Sequence, residues 1–104
     1  MSDATRTAPA LDDLRVMRDQ IIALAARHRA SNVRVFGSVA RGDATPDSDI
    51  DFLVTFEDGA SLYDLSGLWQ DLQELIGHSV DVVSDHAGLR DRFRQRITRD
   101  VVAL

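Results

Sequence analysis

Cysteine is missing from this chain. That excludes a disulfide framework and a thiolate metal site. No apolar run approaches the roughly 20 residues of a membrane span, so no membrane partner is expected. Residues 1–9 show neither the basic region nor the apolar stretch of a secretory signal, which leaves the cytoplasm as the default location. Positive charge is scarce: 12 Lys and Arg stand against 17 Asp and Glu, a net charge of -5. A protein that binds nucleic acid in bulk should carry the opposite sign, so none is expected as a partner. No Walker A pattern with its lysine occurs, and no histidine pair has zinc spacing.

What is present suits one compact domain. The chain has 104 residues and 44% hydrophobic content, enough for a single core. Residues 1–9 are small and polar and read as a disordered tail, and residues 10–104 read as the domain. Leu11, Leu14, Met17, Ile21, Leu24 and His28 step by three and four, which predicts one amphipathic helix. Residues 32–36 and 50–56 read as strands, and residues 80–84 as a third carrying Asp81. Ser61 and Asp64 have capping-box spacing before an apolar stripe of Leu62, Leu65, Trp69, Leu72 and Ile76, with Gly77 placed to end the helix. Tyr63 and Trp69 are assigned to core or interface. A last helix is keyed by Leu89, Phe93, Ile97 and Val101, and Arg90, Arg92, Arg94, Arg96 and Arg99 crowd the same stretch. The order α-β-α-β-α-β-α predicts an α/β (α+β) fold, a small mixed sheet flanked by helices.

The chemistry concentrates between residues 37 and 51. Asp49 and Asp51 are two apart, which along a strand puts two carboxylates on one face. Such a pair repels itself unless a proton or a cation intervenes. Magnesium fits, because it takes one or two carboxylates together with substrate phosphate oxygens. Asp81 is an acid among valines, where strand propensity and burial both disfavour it. If the second and third strands are neighbours, Asp81 joins the pair, and three carboxylates can hold two metals about 4 Å apart. Gly37 allows a close backbone approach to phosphate, and Ser38 opens a short helix ended by Gly42 and adds a hydroxyl donor. Arg41 either touches phosphate or braces the acidic loop through Asp43 or Asp47. A calcium loop does not fit: counting from Asp43 or from Asp47 leaves the required glycine and bidentate glutamate positions unfilled.

Taken together, Gly37-Ser38-x-Ala40-Arg41-Gly42, Ser48-Asp49-x-Asp51 and a later strand with Asp81 resemble the nucleotidyltransferases of the DNA polymerase beta superfamily, and the short length resembles their minimal (MNT) group. The resemblance covers residues 32–84 and extends to Arg96-Ile97-x-x-Asp100-Val101. It implies a polymerase-beta-like fold, ATP as substrate and two magnesium ions. It also implies catalytic and metal-binding roles for Asp49, Asp51 and Asp81, and nucleotide binding by Gly37, Ser38 and Arg41. Larger relatives carry an acceptor-recognising helical domain for which this chain leaves no room, so the acceptor is expected on another protein. In the MNT group that partner is a HEPN ribonuclease toxin, AMP-modified on tyrosine by its antitoxin in a hetero-oligomer. Two alternatives stay open: an antitoxin that neutralises the toxin by contact alone, and a transferase acting on a small molecule.

Overall fold

A computed structural model describes residues 7–85, 95, 97 and 99–104. Two short helices, α1 (Leu11–Val16) and α2 (Arg18–Arg27), precede the first strand, β1 (Ala30–Phe36). Then come α3 (Gly37–Arg41), β2 (Ile50–Phe56), α4 (Leu62–Ile76), β3 (Val80–Ser84) and a two-residue strand, β4 (Val102–Ala103). The sheet is four-stranded in the order β3-β2-β1-β4. Its central strand β1 runs antiparallel to β2 and β4, whereas β2 and β3 are parallel with α4 as their crossover. This is the mixed sheet with helices that the sequence predicts.

The core lies on one face of the sheet. Val35, Ile50, Phe52 and Val54 are completely buried there, with Leu14, Ile21, Leu68 and Leu72 packed from the helices. Burying each such side chain contributes about 1.5–3 kcal/mol. β-Alternation thus splits β2 in two: Ile50, Phe52 and Val54 face the core, and Asp51, Leu53 and Thr55 face the other way.

Several expectations need correction. The single first helix is broken at Met17, whose φ of -96° and ψ of 13° cap α1 and start α2. The apolar spacing runs through the break because both halves pack on the same core. β1 begins at Ala30, not Asn32, and a bulge between Ser31 and Arg34 is accommodated by a left-handed Asn32. A fourth strand ends the described fold: Val102 pairs with Val35, and Val101 lies outside any helix. Two residues are too few for alternation to announce a strand. The predicted last helix and its arginines fall largely outside the described residues, as do residues 1–6 of the predicted tail; residues 95, 97, 99 and 100 are helical, and Ile97 is buried.

α4 shows both strengths and errors of periodicity. The capping box between Ser61 and Asp64 is present, and Gly77 ends the helix in the left-handed region at φ 73°. Yet the stripe is rotated. Leu68 and Leu72 are its buried residues, while Leu62 is 73% and Tyr63 89% exposed. Trp69 is half-exposed, its indole Nε1–H donating to Val80 O at 2.9 Å. Neither aromatic is core in this chain. His28, at the end of α2, is half-buried and lies 2.6 Å from an Asp71 carboxylate oxygen. Among the described residues, no helix is long and apolar enough to cross a membrane.

Candidate active site

Phe36 leaves β1 in extended geometry, and Gly37 turns the chain into α3 with φ 75°. The turn is tight against β2: a Cβ on Gly37 would collide with Asp51 Oδ2. Only glycine permits both the backbone angle and the approach. α3 lasts five residues, because Gly42 takes φ 84° and accepts the left-handed cap. Val39 is buried beneath it and fixes the helix to the sheet.

The acidic loop returns the chain to β2. Ser48 Oγ accepts from Thr45 N–H at 2.9 Å, and Ser48 N–H donates to Thr45 O at the same distance. Asp49 is exposed one residue before β2 begins, and Asp51 is half-buried at the strand's second position. In the parallel register, Asp51 stands directly beside Asp81 of β3. Neighbouring residues in register point to the same face, so the sheet itself delivers the third acid to the pair.

Electrostatics registers the crowding. Burial first, then the negative charges of Asp81 and Asp49, push the Asp51 carboxyl up from 3.8 to about 6, against an opposing pull from Arg41. Among the described residues, no three acids or histidines converge into a ready-made metal cage. Magnesium does not need one, because it keeps several waters and shares its shell between one or two carboxylates and substrate phosphates. An unneutralised acid group whose central member is driven toward protonation is a donor set that fits such an ion.

Arg41 is held by two acids. Its Nε donates to Asp43 at 3.2 Å and its Nη1 to Asp100 at 3.1 Å. The Asp43 bond, followed by the Asp100 bond, raises the guanidinium's pKa further. Bracing of the acidic loop through Asp43 is therefore present, and Asp100 extends the brace to the end of the chain. Phe36, Gly37, Ser38, Arg41, Asp51, Ile97 and Asp100 together line an open cleft of about 300 Å³. The structure thus brings Gly37, Ser38, Arg41 and Asp51 to one cleft, with Asp81 alongside Asp51 and Asp49 at the strand's start. Sequence reading missed Asp100 as a site residue, since its contact spans 59 positions and no local pattern announces it.

The chain as a whole has known counterparts. The nucleotidyltransferase domain family matches residues 18–103. The protein adenylyltransferase MntA of Thermococcus cleftensis is 38% identical over 76 residues, covering 73% of this chain and 76% of its own length. A solved structure, a "putative minimal nucleotidyltransferase", is 47% identical with a TM-score of 0.80, covering 92% of this chain and 97% of that one. A chain from the complex of the tri-AMPylated Shewanella oneidensis HEPN toxin with its MNT antitoxin shares the fold at a TM-score of 0.64 and 20% identity, covering 86% of this chain and 69% of that one. A turn that packs glycine on an acid, a second acid delivered by strand register and a match across most of the chain lead to one conclusion: this protein is a nucleotidyltransferase, a member of the minimal group that includes the protein adenylyltransferases.

Proposed function

We propose that the protein transfers AMP from ATP to a tyrosine hydroxyl of a HEPN-domain ribonuclease toxin and thereby acts as its antitoxin. The observation that carries the reading is the register of Asp51 beside Asp81, with Gly37 pressed against Asp51 at the mouth of the cleft. Asp49, Asp51 and Asp81 would hold two magnesium ions, whose chemistry is to neutralise charge on the attacking and leaving oxygens of phosphoryl transfer. The half-buried, charge-crowded Asp51 supports this assignment, since a cation would offset the burial and the repulsion that together favour its proton.

The chain's own residues divide the remaining work. Gly37 brings backbone close to the triphosphate, and Ser38 offers an N–H and a hydroxyl. Arg41, already fixed in the cleft wall by Asp43 and Asp100, supplies positive charge facing the same space. Asp81, exposed beside Asp51, accepts the proton of the acceptor hydroxyl. The hydroxyl oxygen then bonds to the α-phosphorus, the bond to the pyrophosphate oxygen breaks, and the proton passes from Asp81 to solvent.

The named adenylyltransferase relative and the toxin–antitoxin complex among the fold's counterparts support a protein acceptor and a hetero-oligomer, placed by this reading in the cytoplasm. The test is intact-mass measurement of the HEPN toxin after incubation with this protein, ATP and magnesium. Mass gains in whole AMP units with wild type, and none with Asp81→Ala at equal binding to the toxin, are expected. Equal rescue of toxin-expressing cells by both proteins with an unchanged toxin mass would replace this reading with neutralisation by contact.

A further inference from the structure

The assigned acids do not explain what holds their backbones in place, and β2 begins only after Asp49. The turn between α4 and β3, residues 77–79, lies against this segment. His78 Nε2 is 2.6 Å from Ser48 O, the carbonyl of the peptide bond that leads into Asp49. A carbonyl oxygen only accepts, so the contact requires the proton on Nε2 and fixes that side of the ring as the donor. One residue on, Ile50 N–H donates to Ser79 O at 3.0 Å. Asp49 is therefore bracketed: the carbonyl before it and the amide after it are both bound by the same turn.

That turn also sets Asp81. Val80 N–H donates to Gln73 Oε1 at 3.3 Å, and Val80 O accepts from Trp69 Nε1 at 2.9 Å. Both groups of the residue preceding Asp81 are thus tied to α4. His78 is half-buried, and its imidazole connects the β3 side to the acidic loop. Ser79 acts through its backbone alone, which a side-chain substitution leaves in place.

We propose that His78 is a positioning residue for the acid cluster: by donating from the α4–β3 turn to Ser48 O, it holds the backbone of Asp49 in register with Asp51 and Asp81. The proposal rests on the reading of these acids as magnesium ligands. Partners that orient a metal's ligands commonly matter about 10–100-fold for metal affinity or activity. The role requires only an N–H at the ring's far edge. Glutamine carries one at a similar reach, and alanine carries none.

The experiment compares wild type, His78→Ala, His78→Gln and His28→Ala. The last removes a histidine contact of the same length, to Asp71, away from the acids. Binding of ATP is titrated calorimetrically at a series of magnesium concentrations, and amide hydrogen exchange is followed at Asp49 and Ile50 without metal. His78→Ala is expected to need about tenfold more magnesium for the same ATP affinity and to lose protection at Ile50. His78→Gln should restore most of both, and His28→Ala should lower the melting temperature with no change in magnesium dependence. An unchanged magnesium requirement in His78→Ala, an equal shift in His28→Ala, or a glutamine variant as impaired as alanine would each overturn the role of His78. If wild type itself binds ATP without any magnesium dependence, the assignment of the acids falls, and the role of His78 with it.

Discussion

The two faces of β2 are the instructive contrast. One strand, with one set of backbone hydrogen bonds, presents Ile50, Phe52 and Val54 to a dry core and Asp51, on the opposite face, to a cleft. The first face is worth several kcal/mol in removed apolar surface. The second face half-buries Asp51 near the charges of Asp81 and Asp49, and burial first, then those charges, push its carboxyl up to about 6. Stability and chemistry therefore sit a single residue apart, separated only by the alternation of the strand. A site can keep a repulsive arrangement when the opposite face of the same element holds the element in place.

The contrast can be broken from the core side first. Phe52→Ala should cost about 3–5 kcal/mol, because it empties a fully buried position. Chemical denaturation of this variant should show a loss of that size.

From the cleft side, magnesium and ATP together should stabilise the protein by about 2.7 kcal/mol at a hundred times the dissociation constant. ATP with a chelator should give far less. Equal thermal shifts in the two conditions would count against acids that share a metal with phosphates.

Proton linkage gives a third measure. The folded Asp51 holds its proton up to about pH 6, whereas the unfolded one releases it near 3.8. Between those values the folded state binds more protons, so stability from this group is full below the lower value and is lost as pH rises through the upper. The metal-free wild type should thus lose at most about 3 kcal/mol relative to Asp51→Asn across this window, with solvent screening reducing the figure. Paired urea melts at about pH 4 and pH 7 read the difference, and parallel curves for the two proteins would contradict it.

Gly37→Ala joins both faces. The left-handed φ and the collision with Asp51 should destabilise by about 1–3 kcal/mol. ATP affinity should fall as well, because the backbone must move off the cleft; calorimetry would detect unaltered binding.

Much of the candidate site is legible in the amino-acid sequence. Asp81 stands out as an acid among valines, against strand propensity, and Asp49 and Asp51 stand out by a spacing of two that sets like charges on one face; such conflicts tend to mark function. The capping box of α4 and the glycines at its end and at the end of α3 are equally local signals. What escapes a reading of the sequence is set by distant contacts. The break at Met17 hides inside an unbroken apolar period, and β4 is too short for a pattern. The exposure of Leu62 and Tyr63 depends on where α4 rests against the sheet, which a stripe fixes only to within a fraction of a turn. Asp100 on Arg41 and His78 on Ser48 join residues 59 and 30 positions apart, beyond the reach of spacing.

The most direct test of the central claim is a pair of measurements on Asp51→Asn: unfolding free energy at neutral pH without metal, and AMP transfer to the toxin by intact mass. The account predicts stability equal to or above that of wild type, because a like charge is removed from the cluster, together with complete loss of transfer. A variant that is markedly less stable, or that still modifies the toxin, would contradict it.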